Sequence, residues 1–218
     1  MDDINLEKYY KEIAFENQYK DAAGFLRNKI HMKMEKPFSK NMHFENVLEL
    51  GALFGNHRKF VKHSYDTYSE TDLFIKKKEI FKSENSDVKR FKLDATELVD
   101  IEDASVDRLI ATCLIIHLEK PEKVLKIWKR VVKSGGYLSL WVQCEPSILL
   151  NLSRKFYSSK RQKDFYNLLY KEHINYYLRT EFLVKQIFKD DELEISKFPF
   201  NKLNWNLNLA SIFTIKIS

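Results

Sequence analysis

Glycine and proline are scarce in this chain, five and four among 218 residues. That scarcity excludes collagen-like, linker-rich and low-complexity architectures, which depend on them. The two cysteines, Cys113 and Cys144, have no metal-ligand spacing and are too few for a disulfide framework. Long apolar runs are missing as well. The stretch LIATCLII (109–116) falls well short of the ~18 residues of a spanning helix. The opening MDDINLEKYYKEIAFENQYK is charged throughout and has no apolar signal core, so export is not expected. These absences predict a cytoplasmic protein with no membrane insertion and no metal site.

What is present suffices for one core. Hydrophobic residues make up 44% and charged residues 31%, so a single globular domain over 1–218 is expected. The formal net charge is +6. The basic residues are mostly lysines scattered along the chain, without interleaved aromatics in one block. This is the pattern of a solvated surface, and no nucleic-acid partner is expected.

Periodicity divides the chain into alternating elements. Leu6, Tyr9, Tyr10, Ile13, Tyr19, Ala22, Phe25 and Leu26 recur at helical spacing and predict an N-terminal helical segment over 5–36, ending near Pro37. NVLELG (46–51) reads as a buried strand, NHRKFVKHS (56–64) as a helix, and YDTYSETDL (65–73) as a second strand. A lysine-rich helical stretch (74–83) precedes strands VKRFKLD (88–94) and VDRLIATCLI (106–115). A helix over 120–133 opens at Pro121, closes at Ser134-Gly135-Gly136 and leads into strand YLSLWVQ (137–143). Its stripe Val124, Leu125, Ile127, Trp128 and Val131 reads as core packing and nothing more. The tail holds a helix (179–189) and strands 193–200 and 209–217. Only residues 201–208 join these strands, too few for a helical crossover, so they should pair antiparallel.

The expected fold is a Rossmann-like three-layer α/β sandwich, its seven-stranded sheet mostly parallel with an antiparallel C-terminal strand. Ligands on such sheets bind beyond the carboxyl ends of the strands, which singles out the loops after residues 50, 72, 94 and 113. Two of the five glycines fall in Gly51-Ala52-Leu53-Phe54-Gly55, directly after the first strand. Asp72 follows 21 positions after Gly51, a spacing that suits a carboxylate on ribose hydroxyls. The middle glycine of a dinucleotide loop is absent, with Leu53 in its place. The loop therefore suits an adenosine ligand without a pyrophosphate better than a dinucleotide. A purely structural tight turn would use the same residues.

Taken in order, VLELGALFGNH, YSETDLF, FKLDATEL and SVDRLIATCLIIHLEKPEKVLKIWKRVVKSGGYLSL resemble the class I S-adenosylmethionine-dependent methyltransferases over roughly 44–143. The resemblance implies S-adenosyl-L-methionine as cofactor and S-adenosyl-L-homocysteine as product. It places Gly51, Ala52 and Gly55 beneath the methionine part, with Glu49 near the ammonium group. Asp72, with Leu73 beside it, would take the ribose. Asp94 and Ala95 would read the adenine, and the backbone of Thr112 and Cys113 would flank the methionine moiety. Two departures stand out: Ala52-Leu53 replaces the usual Cys-Gly, and only His117 remains of a His-His pair. The resemblance further implies an N-terminal helical lid (1–40), a cofactor-binding core (41–143), a substrate-side insertion (144–178) and a closing helix with a strand pair (179–218).

Both presumptive substrate segments are rich in tyrosine: Tyr9, Tyr10 and Tyr19, then Tyr157, Tyr166, Tyr170, Tyr176 and Tyr177. They could form a water-excluding lid or simply pack with wet hydroxyls. His173, flanked by Glu172 and Asn175, and His117 are the candidate bases. The remaining histidines, His31, His43, His57 and His63, have no comparable context. The expected acceptor is a small molecule, by analogy a sugar or surface-polysaccharide precursor methylated on oxygen or nitrogen, and the expected state a monomer or homodimer. Lipid, quinone or nucleic-acid methylation and a non-catalytic partner subunit are the alternatives.

Overall fold

A computed structural model describes residues 22–75, 87–157 and 177–218. In chain order its principal elements are α1 (Ala22–Met34), β1 (His43–Leu50), β2 (Ser64–Asp72), β3 (Val88–Lys92) and β4 (Val106–Thr112). There follow α2 (Pro121–Val131), β5 (Val132–Gln143), α3 (Ile148–Tyr157), α4 (Tyr177–Ile187), β6 (Glu192–Phe198) and β7 (Ala210–Lys216). The sheet has seven strands in the order β3-β2-β1-β4-β5-β7-β6. The first five run parallel, and β7 is antiparallel to both β5 and β6. The Rossmann-like sandwich with an antiparallel C-terminal end is therefore the observed architecture.

Alternation along each strand divides the core in two. Leu48, Leu50, Leu109, Ala111, Leu138, Leu140 and Val142 pack against Val124, Leu125, Trp128 and Val131 of α2 and against Leu183 and Val184 of α4. Val47, Tyr68, Ile110, Trp141 and Ile212 face the other way, toward Ile30 and Met34 of α1 and toward Phe38. Chain direction reverses its progress at β1, with β2 on one side and β4 on the other. That switch point is where a parallel sheet opens a crevice.

Two expectations fail. Residues 56–64 form no α-helix, only a 3-10 turn at Arg58–Phe60. The reason is reach. The crossover from β1 must return along a strand of eight residues, ~25 Å. The eight residues 56–63 as an α-helix would rise only ~12 Å; the chain instead passes through turns and the 3-10 turn and becomes extended at Val61. The second failure is at Ser134-Gly135-Gly136, which lies inside β5 and not at its start, because α2 stops at Val131 and the strand begins at Val132. There β5 bulges: Val106 pairs with Val132 and Arg108 with Tyr137, so two steps of β4 oppose five of β5. Gly135 takes φ +79°, and a Cβ on Gly136 would lie 2.8 Å from the Asp107 carbonyl oxygen. The predicted helix at 74–83 falls mostly outside the described residues.

Candidate functional site

The loop after β1 is built around left-handed backbone. Gly51 has φ +67° and Gly55 +68°. A Cβ on Gly51 would come within 3.0 Å of Leu114, and one on Gly55 within 2.6 Å of the Glu70 carboxylate. The loop thus lies pressed onto its floor. Leu53, between the glycines, also adopts positive φ, at +46°. The Ala52 N–H donates to the Thr71 carbonyl at 2.9 Å, tying the loop to the end of β2. Ala52 is buried.

Asp72 ends β2 beside this loop. Its Oδ2 accepts the Leu53 N–H at 3.1 Å and its Oδ1 the Phe74 N–H at 2.9 Å. Burial pushes its carboxyl above the usual carboxylate range, against those N–H groups and the Arg90 guanidinium, which favour the charged form. Leu73 next to it is an exposed apolar residue. Asp94, after β3, is exposed and closes its own turn, accepting the Thr96 N–H at 2.8 Å and hydroxyl at 2.7 Å. The Ala95 carbonyl accepts the Trp128 indole N–H at 2.8 Å. The stripe on α2 therefore does more than pack: one of its members holds the third loop.

Glu49 is enclosed. It faces the α1 side, accepts the Tyr68 hydroxyl at 2.7 Å, and burial raises its pKa, opposed by His57 and that hydrogen bond and reinforced by Glu70.

At the end of β4, Cys113 has φ +56° and donates its N–H to the Trp141 carbonyl at 3.0 Å. Burial pushes its thiol up to about 12, so it is no nucleophile at neutral pH. Thr112 pairs with Trp141 across the ladder. Beside Cys113, the end of β5 carries a polar group. Arg154 of α3 donates to Gln143 Oε1 and to Glu145 Oε1, both at 2.7 Å. His117 closes a 3-10 turn at Ile115–His117 and is half-buried on the same sheet edge. His173, Tyr9, Tyr10, Tyr19, Tyr166, Tyr170 and Tyr176 lie outside the described residues. Tyr177 is buried in the core beside Trp205, one of the packing tyrosines.

Parallel strands thus bring the loops after β1, β2, β3 and β4 to one edge, as the spacing requires. Three histidines without apparent context form a buried chain under α1. The His31 and His57 Nδ1 atoms are 2.7 Å apart, and His57 Nε2 donates to Glu35 at 2.8 Å. Arg108 donates to both Glu35 oxygens and, at 2.6 Å, to His63 Nε2. An arginine only donates, so His63 is neutral there, and its Nδ1–H donates to the Ser64 carbonyl at 3.1 Å.

Residues 48–140 match the model of a family described as "Methyltransferase domain". No curated protein matches the chain. Among solved structures, an S-adenosylmethionine-dependent methyltransferase of Thermotoga maritima, a possible histamine N-methyltransferase, superimposes with TM-score 0.60 at 17% identity, covering 89% of this chain and 90% of that one. A chain of the Haloferax volcanii complex between the Trm112 methyltransferase activator and a methyltransferase gives TM-score 0.61 at 12% identity, with 98% of each chain covered. Haemonchus contortus phosphoethanolamine N-methyltransferase 2, solved with S-adenosyl-L-methionine, gives 0.60 at 12%, covering 98% of this chain and 60% of that one.

Proposed function

We propose that this chain, whose residues 48–140 match a methyltransferase-domain family, is a class I S-adenosylmethionine-dependent methyltransferase that methylates a small polar acceptor at the sheet edge where the four loops meet. The observation that carries this reading is the convergence of the Gly51–Gly55 loop, Asp72, Asp94 and Cys113 on the switch-point edge. These residues suit the cofactor. The loop has no room for a Cβ at Gly55 and little at Gly51, and Asp72 stands beside it as a carboxylate acceptor for ribose hydroxyls. Bound there, S-adenosyl-L-methionine supplies a sulfonium methyl group activated for in-line displacement.

The chain's own residues then have separable tasks. The backbone at Gly51, Ala52 and Gly55 supports the methionine part, with Glu49 as a buried carboxyl behind it. Asp72 and Leu73 hold the ribose side, and Asp94 and Ala95 the adenine side. The ends of Thr112 and Cys113 border the methionine part. His173 or His117 removes the acceptor proton where one must leave. The N-terminal segment 1–40 serves as lid, 41–143 as cofactor core, 144–178 as substrate-side insertion and 179–218 as the closing unit. Gln143, Glu145 and Arg154 make the described rim polar, which favours a sugar-like or other hydrophilic acceptor over a lipid. Among the described residues no helix is long and apolar enough to cross a membrane. We place the enzyme in the cytoplasm as a monomer or homodimer.

Calorimetric titration with S-adenosylhomocysteine, followed by a methyl-release assay on a fractionated extract, tests the reading. Saturable binding and a melting temperature that rises with ligand are expected. Absence of both at millimolar ligand overturns the site. Binding without turnover on any fraction would instead make the chain a non-catalytic subunit.

A further inference from the structure

Leu53 occupies a backbone conformation, φ +46°, that L side chains avoid and glycine takes freely. Something must hold it there, and both polar groups of the residue are held. Its N–H donates to Asp72 Oδ2 at 3.1 Å, and its carbonyl accepts from Nη2 of Arg90. Arg90 comes from β3, two strands away from the loop's own strand, in register with Glu70. Its other terminal nitrogen donates to Glu70 Oε2 at 3.1 Å, while Arg58 Nε donates to Glu70 Oε1 at 2.8 Å. Gly55 lies directly on that same carboxylate. The loop is thus bonded at residue 53 to one small ion cluster, whose Glu70 carboxylate underlies residue 55 and is only 4% exposed. The arrangement leaves Arg90 Nε buried without a hydrogen-bond partner, so it does not come about through best pairing of the arginine alone.

We propose that Arg90 is a positioning residue for the cofactor, clamping the Leu53 peptide in a left-handed conformation that only glycine would hold without help. With that peptide fixed, the Leu53 N–H meets Asp72 and the loop keeps the shape a ligand needs. The guanidinium also favours ionised Asp72 against burial, which keeps both oxygens available as acceptors. Arg90 touches neither the reacting atoms nor the ligand; it acts through Leu53 and Asp72. The inference rests on the reading that the cofactor lies on this loop, and the test separates the two.

The full chain is titrated calorimetrically with S-adenosylhomocysteine as wild type, Arg90→Met, Leu53→Gly, the double variant and Asp72→Asn. Arg90→Met is expected to weaken binding roughly 10- to 100-fold, the scale of a hydrogen bond from a charged donor. Glycine needs no clamp, so the double variant should bind within a few-fold of Leu53→Gly alone. A merely structural arginine would lower the unliganded melting temperature but would not be rescued by glycine at residue 53. Wild-type affinity in Arg90→Met, or a double variant as weak as Arg90→Met, overturns the proposal while a weakened Asp72→Asn leaves the site standing. If all five bind alike, the cofactor is not on this loop and both readings fall. Should Arg90→Met fail to fold, Arg90→Lys keeps a charge for Glu70 without the fork. Its smaller loss should then be recovered by Leu53→Gly, and failure to recover overturns the proposal equally.

Discussion

The two faces of the sheet solve the same burial problem in opposite ways. Toward α2 and α4 the strands present Leu48, Leu50, Leu109, Ala111, Leu138 and Leu140, a hydrocarbon surface that helices cover by packing alone. Toward α1 they present Glu49, Tyr68, Glu70, Asp72 and Arg108, with Val47, Ile110 and Trp141 between them. Arg108 and Glu35 are each 0% exposed there. The difference follows from the short crossover between β1 and β2. No helix forms at 56–63, so α1 and the aromatic residues after it must cover that face. What docks them includes ions. Arg108 stacks its guanidinium 3.5 Å over the Phe38 ring and grips Glu35, while His57 reaches Glu35 from the crossover. Burial alone would push the Glu35 carboxyl up; Arg108 and His57 overcome it and hold it at about 2. One face is therefore indifferent to pH and to the identity of any one partner. The other is specific and conditional.

The largest expected effect breaks the ionic face at its centre. Arg108→Met should cost about 3–5 kcal/mol, because Glu35 then keeps its burial and loses its main counter-charge. Pairing it with Glu35→Leu removes the stranded charge and should return a good part of that loss. Leu109→Ala, one residue along and on the opposite face, should cost about 2–5 kcal/mol with no partner change able to compensate its cavity. Urea denaturation of the four proteins checks the set. A double variant no more stable than Arg108→Met would show that the ions stabilise outright and do not merely select the docking of α1.

A smaller effect sharpens the comparison through pH. Burial, with the Arg108 charge beside it, holds His63 down to about 4 in place of 6.5. Burial and His57 likewise lower His31. A depressed histidine binds fewer protons folded than unfolded, so its stabilising contribution is complete above 6.5 and is lost as pH falls toward the folded value. Glu49 and Asp72, raised by burial, pull the opposite way. Only a difference between variants isolates the histidine. The groups around His63 are Arg108 of β4, Glu35 after α1, His57 of the crossover and the Ser64 carbonyl. His63→Leu should lose about 1.5–3 kcal/mol near pH 7.5, the worth of accepting from a charged donor. That gap to wild type should close as the pH approaches 4.5. The Leu109→Ala gap, followed in the same melts, should stay constant. A constant gap for His63→Leu would mean its proton does not matter.

How much of this was legible beforehand differs between the faces for the same reason. Strands such as NVLELG and VDRLIAT announce themselves because apolar burial leaves a local pattern, and the antiparallel end follows from the short 201–208 link. The loops after β1, β2, β3 and β4 were placed by strand polarity. The ion cluster leaves no such trace. Glu35, Arg108 and the crossover pair His57 and His63 come from three segments with no common period, and each reads singly as surface. Periodicity ignores distance, and so it predicts a crossover helix that does not form. Counting eight residues against the length of the strand would have excluded it. The clamp on Leu53 is hidden likewise, since its arginine lies 37 positions away.

The smallest expected effect tests whether the hydrocarbon face is as plain as it looks. Trp128 is fully buried on it, yet its indole N–H reaches the Ala95 carbonyl at 2.8 Å, and Arg130 Nη2 reaches the Leu98 carbonyl at 3.1 Å. From α2, two side chains thus hold the loop carrying Asp94. Trp128→Phe keeps an aromatic ring in the core and removes the donor, leaving the half-buried Ala95 carbonyl short of its partner. The expected stability loss is about 1–2 kcal/mol, a hydrogen bond plus a small void. The more telling readout is ligand-dependent. If the Ala95 carbonyl fixes the adenine-side loop, S-adenosylhomocysteine affinity should fall several-fold in Trp128→Phe. In Leu109→Ala, on the same face but without a bond to any loop, affinity should stay near wild type. Equal affinities in the two variants would return Trp128 to pure packing. A selective loss would make α2 part of the binding apparatus, joined to the sheet edge by a bond from inside the core.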